Sequence, residues 1–225
     1  MISKLPRWVE YGSFILALVA GLVNSIGLLG FKHQSVSHLS GTATLFGTGM
    51  INSDFADVSH LALVLLSFLL GSVISGYFIR SGSLKLGRNY SGLLLLESTF
   101  LFSSIYFLSD NYSLGHYLAS AACGLQNALA TTYSGAVIRT THVTGIFTDL
   151  GIMIGSKLRG EYFDKRKGLL FLLIILGFIV GGCCGAYLFS FFHFYALIVP
   201  ASICLLLALS YSIYNAKSIL TKNNK

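Results

Sequence analysis

The chain spells one phrase twice. Gly21-Leu22-Val23-Asn24, followed fourteen residues after Asn24 by His38-Leu39-Ser40-Gly41, returns as Gly124-Leu125-Gln126-Asn127, followed fifteen residues after Asn127 by His142-Val143-Thr144-Gly145. The echo runs on, because Gly41-x-x-Thr44-x-x-Gly47 is matched by Gly145-x-x-Thr148-x-x-Gly151, and Gly71 and Gly76 by Gly177 and Gly182. The offset stays at about 104 residues, so one domain over residues 1–225 holds two copies of a unit, about 8–108 and about 114–215. Solenoid repeats are far shorter, at about 20 to 50 residues. In an apolar chain a period this long points to the paired halves of a transporter or channel.

The chain is apolar enough for that argument to apply. With 54% hydrophobic and 10% charged residues and a mean hydropathy of +0.75, it has too little polar surface to coat a soluble globule. The net charge of +7 sits in short clusters between apolar runs, with no nucleic-acid motif beside them, so anionic lipid headgroups are the expected counter-surface. Cys123, Cys183, Cys184 and Cys204 all lie in apolar stretches and read as packing residues.

Six stretches, at about residues 11–31, 58–79, 91–108, 114–137, 168–190 and 195–214, are long enough to cross about 30 Å of hydrocarbon as helices. Two shorter segments rich in glycine and threonine, 37–51 and 141–156, each follow the first helix of a copy. If both dip into the bilayer and return, Lys32 is the one cation of fifteen placed outside; if both cross, Lys32, Arg80, Lys85, Arg88 and Arg139 all move outside. The expected fold is therefore an all-α membrane protein of six transmembrane helices with both termini cytoplasmic. Three crossings per copy make the halves inverted repeats, each with a re-entrant half-helix. A signal peptide after Lys4 and Arg7 is set aside, because that run contains Asn24, lacks a small-residue cleavage site and recurs in mid-chain.

Non-helical backbone at membrane depth is tolerated where protein or a water-filled cavity surrounds it. Residues 32–37 can return extended from the surface, and short helices then start near Ser40 or Gly41 and near Thr144, with the hydroxyls as caps. Two half-helix N-termini would face the centre and favour an anionic or polar solute. The residues expected around that solute are Asn24, His38, Ser40, Gly41, Thr42, Gln126, Asn127, His142, Thr144, Gly145 and Thr148. Each also has a plainer reading. His38 and His142 can hold the extended segments by hydrogen bonds, the amides can bridge helices or cap the opposing loop, and Thr44 and Thr148 can bond back to their own helices. Gly41 and Gly145 would let a solute come close; Gly71, Gly76, Gly177, Gly181, Gly182 and Gly185 would let helices come close. Two carboxylates break the symmetry. Asp149, where the first copy has Leu45, is the expected proton-coupling residue ahead of Glu97, against an ion pair of Asp149 with Arg139 or Lys157.

The paired phrases Gly-Leu-Val-Asn with Ser-His-Leu-Ser-Gly-Thr, and Gly-Leu-Gln-Asn with Arg-Thr-Thr-His-Val-Thr-Gly-x-x-Thr-Asp-Leu-Gly, resemble the signatures of the YoaK-like family of bacterial membrane proteins, over residues 8–214. Ser40 stands where that family usually has threonine, which keeps the hydroxyl. The resemblance implies an integral protein of the bacterial cytoplasmic membrane and no established activity. The functional expectation is a secondary carrier for a small solute, against a passive channel, a membrane-embedded enzyme or an assembly factor. No HExxH, GxSxG or cysteine-histidine metal spacing supports an enzyme or a cofactor. The expected partners are the bilayer and the solute, with no nucleic acid, and a homo-oligomer is compatible with the reading.

Overall fold

The computed structural model describes residues 8–30, 36–79, 88–134 and 138–223. Among them the chain is helical without strands: α1 (Trp8–Gly30), α2 (Leu39–Asn52), α3 (Phe55–Phe78), α4 (Arg88–Ser109), α5 (Leu114–Ser134), α6 (Val143–Leu158), α7 (Lys165–Phe192), a 3-10 turn (His193–Leu197) and α8 (Ile198–Asn223). The cations Lys32, Arg80 and Lys85 and most of the extended run expected at 32–37 lie outside the described residues.

Local chemistry sets the ends. Asp164 caps α7 by accepting from the backbone N–H groups of Arg166 and Lys167 at 3.1 and 3.0 Å. Asn111 takes the left-handed conformation, φ 60°, in the tight turn from α4 to α5. His193, at φ 47°, ends α7, and the 3-10 turn leads into α8, where Pro200 sits in the first turn and needs no N–H partner.

Four helical stretches among the described residues are long and apolar enough to cross a membrane: Trp8–Gly30, Phe55–Phe78, Asn89–Ser109 and the 52-residue Lys165–Ala216, which contains α7, the turn and α8. Their outer faces carry exposed apolar side chains, such as Leu63, Leu66, Leu70 and Val73 on α3 and Leu169, Leu172, Leu176 and Ile179 on α7. Such belts suit lipid. At 14 and 16 residues, α2 and α6 extend about 21 and 24 Å, short of the roughly 30 Å of hydrocarbon.

Residue contacts fix the helix directions. Glu10 pairs with Arg166 at 2.7 Å, while Gly177, Gly181 and Gly185 lie against the backbone of Phe14, Leu18 and Leu22, so α1 and α7 run parallel. His60 meets His116, Ser120 donates to the Val64 carbonyl and Gly124 abuts Phe68, so α3 and α5 are parallel too. Across α1 and α5 the order reverses. Gln126 Nε2 donates to the Leu16 carbonyl at 3.1 Å, Ala130 shares a crevice with Val9 and Ser13, and Ala119 shares another with Val23 and Ile26. Helices α4 and α8 are likewise antiparallel, with Tyr90 against Tyr211 and Cys204 donating to Glu97 at 3.3 Å. Because α5 repeats α1 and α7 repeats α3, the pairs α1 with α7 and α5 with α3 are one contact made twice with the copies exchanged.

Glycine permits that contact. A Cβ at Gly21, Gly71, Gly124 or Gly181 would fall on the carbonyl of Phe178, Ala121, Phe68 or Leu18 respectively, so these helices touch backbone to backbone. Gly76 and Gly182, expected to pack in the same way, face open space for any added side chain, because they lie off the contact stripe.

Candidate functional site

A cavity of about 360 Å³ opens where the first turns of α2 and α6 approach α3 and α5, ample for a small solute. One copy supplies Ser37, His38, Leu39 and Ser40 to its wall; the other supplies Thr141, His142 and Thr144; Phe68 of α3 and Asn127 of α5 complete it.

The two short helices begin in the same way. His38, at φ −100° and ψ 72°, and His142, at φ −93° and ψ 50°, occupy the cap positions, and neither makes a side-chain capping bond. Ser40 and Thr144 do not cap, contrary to expectation: each helix starts earlier, at Leu39 or Val143, which puts the hydroxyls inside the first turn. Both helix N-termini therefore reach the cavity without a capping bond from the side chain of the cap residue. Each such end carries about half a positive charge.

The histidines differ in detail. His38 Nδ1 lies 3.2 Å from Ser40 Oγ. The His142 ring folds over its own helix, so that a Cβ on Gly145 would stand 3.1 Å from His142 Nδ1. Gly145 thus makes room for the His142 ring. Gly41 is exposed with nothing within 4 Å of an added Cβ, so among the described residues no backbone packs against it.

The repeated amides divide their labour. Asn24 Oδ1 accepts from the Ser37 backbone N–H at 3.3 Å and from Ser37 Oγ at 2.8 Å, tying α1 to the segment before α2. Its match Asn127 lies on the cavity wall, and its Oδ1 is buried without a hydrogen-bond partner among the described residues. Gln126 is fully buried in its bond to Leu16 and joins the repeats. Thr44 and Thr148 donate back to the carbonyls of Ser40 and Thr144 at 2.9 and 3.0 Å, and Thr42 is buried away from the cavity.

Neither carboxylate reaches the wall. Asp149 is exposed on α6 and makes no ion pair with Arg139 or Lys157. Glu97 is buried on α4 against Cys204, its Oε2 unpartnered among the described residues.

Several positions on the cavity wall and in polar clusters elsewhere escaped sequence reasoning. Ser37 and Thr141 immediately precede the paired histidines, and that repeated hydroxyl was a readable signal. Phe68 is brought in by the α3–α5 crossing and had none. A buried cluster, His60 Nδ1 with Tyr117 OH at 2.9 Å and His60 Nε2 with His116 Nδ1 at 3.2 Å, joins the starts of α3 and α5. Arg166, which precedes Gly177 by as many residues as His60 precedes Gly71, joins α7 to α1 through Glu10.

The sequence profile of a family described as DUF1275, protein of unknown function, matches residues 12–210. The chain belongs to the DUF1275 family. That agrees with the resemblance carried by the paired phrases, and the matched span holds every residue of the cavity wall. No curated protein and no solved structure matches it. Its apolar helices make this DUF1275 member a multi-pass membrane protein in outline, and membership assigns it no activity.

Proposed function

We propose that this DUF1275 protein is a secondary carrier of the bacterial cytoplasmic membrane, holding a small anionic or polar solute in the cavity between α2 and α6. The observation that carries the reading is that one cavity is built from matched residues of both copies around two uncapped helix N-termini. Transporters of inverted-repeat design bind their solutes at such half-helix ends near the midplane.

In this reading α1, α3, α4, α5, α7 and α8 cross, while α2 and α6 are re-entrant. The antiparallel run of α1 and α5 supports it, since four crossings per copy would leave those two helices parallel. The lengths of α2 and α6 and the cation distribution point the same way. Among the described residues the titratable side chains on the wall are His38 and His142, so proton coupling belongs to them ahead of Asp149 and Glu97.

Access from the two sides tests the proposal. Ser40→Cys and Thr144→Cys, each in a cysteine-free background in oriented proteoliposomes, should react with an impermeant thiol reagent from opposite sides. The solute gradient should raise one reactivity as it lowers the other. Simultaneous reaction of both from either side would make the protein a passive channel.

A further inference from the structure

The carrier reading leaves the solute unnamed, and the cavity wall narrows it. Resting on that reading, the geometry points to a small hydroxycarboxylate of net charge −1 as the solute.

Charge comes first. Among the described residues no lysine, arginine, aspartate or glutamate lines the cavity, and the fixed field they supply comes from the two helix N-termini, together about one positive charge. A single carboxylate complements that field. A second carboxylate would enter the site without a counter-charge, and a cation or an amino acid's ammonium group would find no anionic side chain to pair with.

The amide supplies the second half, and the duplication supplies its control. In the first copy Asn24 is consumed by Ser37. In the second, Thr141 stands at the matching place beside the cavity, yet Asn127 makes no such bond and its Oδ1 is left buried and unpartnered among the described residues. The same residue in the same fold is hydrogen-bonded on one side and left without a partner among the described residues on the other. A buried amide without a partner is costly, and a solute hydroxyl satisfies it in either amide orientation because it can donate to Oδ1 or accept from Nδ2. Phe68 and Leu39 offer the remaining carbon skeleton an apolar wall.

Calorimetric titration of the purified full chain in detergent with L-lactate, propionate, L-alanine, succinate and choline tests this directly. Lactate should bind about tenfold more tightly than propionate, which lacks only the hydroxyl, and more tightly than the other three. Asn127→Leu should abolish the preference for lactate over propionate; if that variant does not fold, Asn127→Ala reads the same ratio. Equal lactate and propionate affinities, tightest binding of succinate, alanine or choline, or binding of none of the five overturns the assignment. The two proposals fail separately. A dianion or cation carried through this cavity would overturn the solute class and leave transport standing, whereas lactate bound in detergent but not moved into proteoliposomes would overturn transport and leave the class.

Discussion

At the scale of single residues, the duplication works as an internal control, because matched positions with different partners should respond differently to one substitution. Asn24→Leu strands the N–H and hydroxyl of Ser37 and should cost about 1–3 kcal/mol. Asn127→Leu removes no bond to the described residues and should leave unfolding in detergent unchanged or slightly raised; the two midpoints, measured side by side, check this. The glycines make a second pair. Gly145→Val pushes the His142 ring off the first turn of α6 and should weaken solute binding several-fold, while Gly41→Val meets open space and should leave it unchanged, with lactate as the calorimetric probe. The sequence made His38, Ser40, Asn127, His142 and Thr144 legible as cavity residues because repetition marks them. It could not separate Asn24 from Asn127, or find the Gln126 bond to Leu16, because those partners lie on other elements and are chosen by packing.

At the scale of helices, hydropathy located the elements to within about three residues, since a span must be long and apolar whatever its neighbours, except that α8 runs nine residues past the expected 214 to Asn223. Contacts between helices were less legible. Glycine spacing announced close packing, but only the register of α1 on α7 and of α3 on α5 shows which glycines bear it. Gly124→Ala and Gly181→Ala should each cost about 1–3 kcal/mol or more, because a methyl group must displace the backbone of the facing helix. Gly76→Ala and Gly182→Ala fill no contact and gain about 1 kcal/mol of helix propensity, so they should be neutral or stabilising. Thermal unfolding of the four variants in one detergent separates the classes; equal losses at all four positions would mean that helix–helix contact is not what these glycines serve.

At the scale of the whole molecule, the helix directions sort the connections onto two faces. The starts of α3 and α5 lie together, joined by His60 and His116, so Asp54 and Asp110 share a face. The starts of α1 and α7 lie together, joined by Glu10 and Arg166, and because α1 opposes α5 this pair occupies the other face, with Glu161 beside it. In the proposed topology, cation placement puts the Glu161 face in the cytoplasm. In intact cells, an impermeant maleimide should label Asp54→Cys and Asp110→Cys in a cysteine-free background, and should reach Glu161→Cys only after the membrane is permeabilised. Eight full crossings would put all three positions on one side, so they would label together or not at all. Labelling of Glu161→Cys alone from outside would keep the inverted repeat and reverse its orientation. A common label for all three would return α2 and α6 to full spans, and the two helix N-termini could no longer enter one cavity from opposite faces.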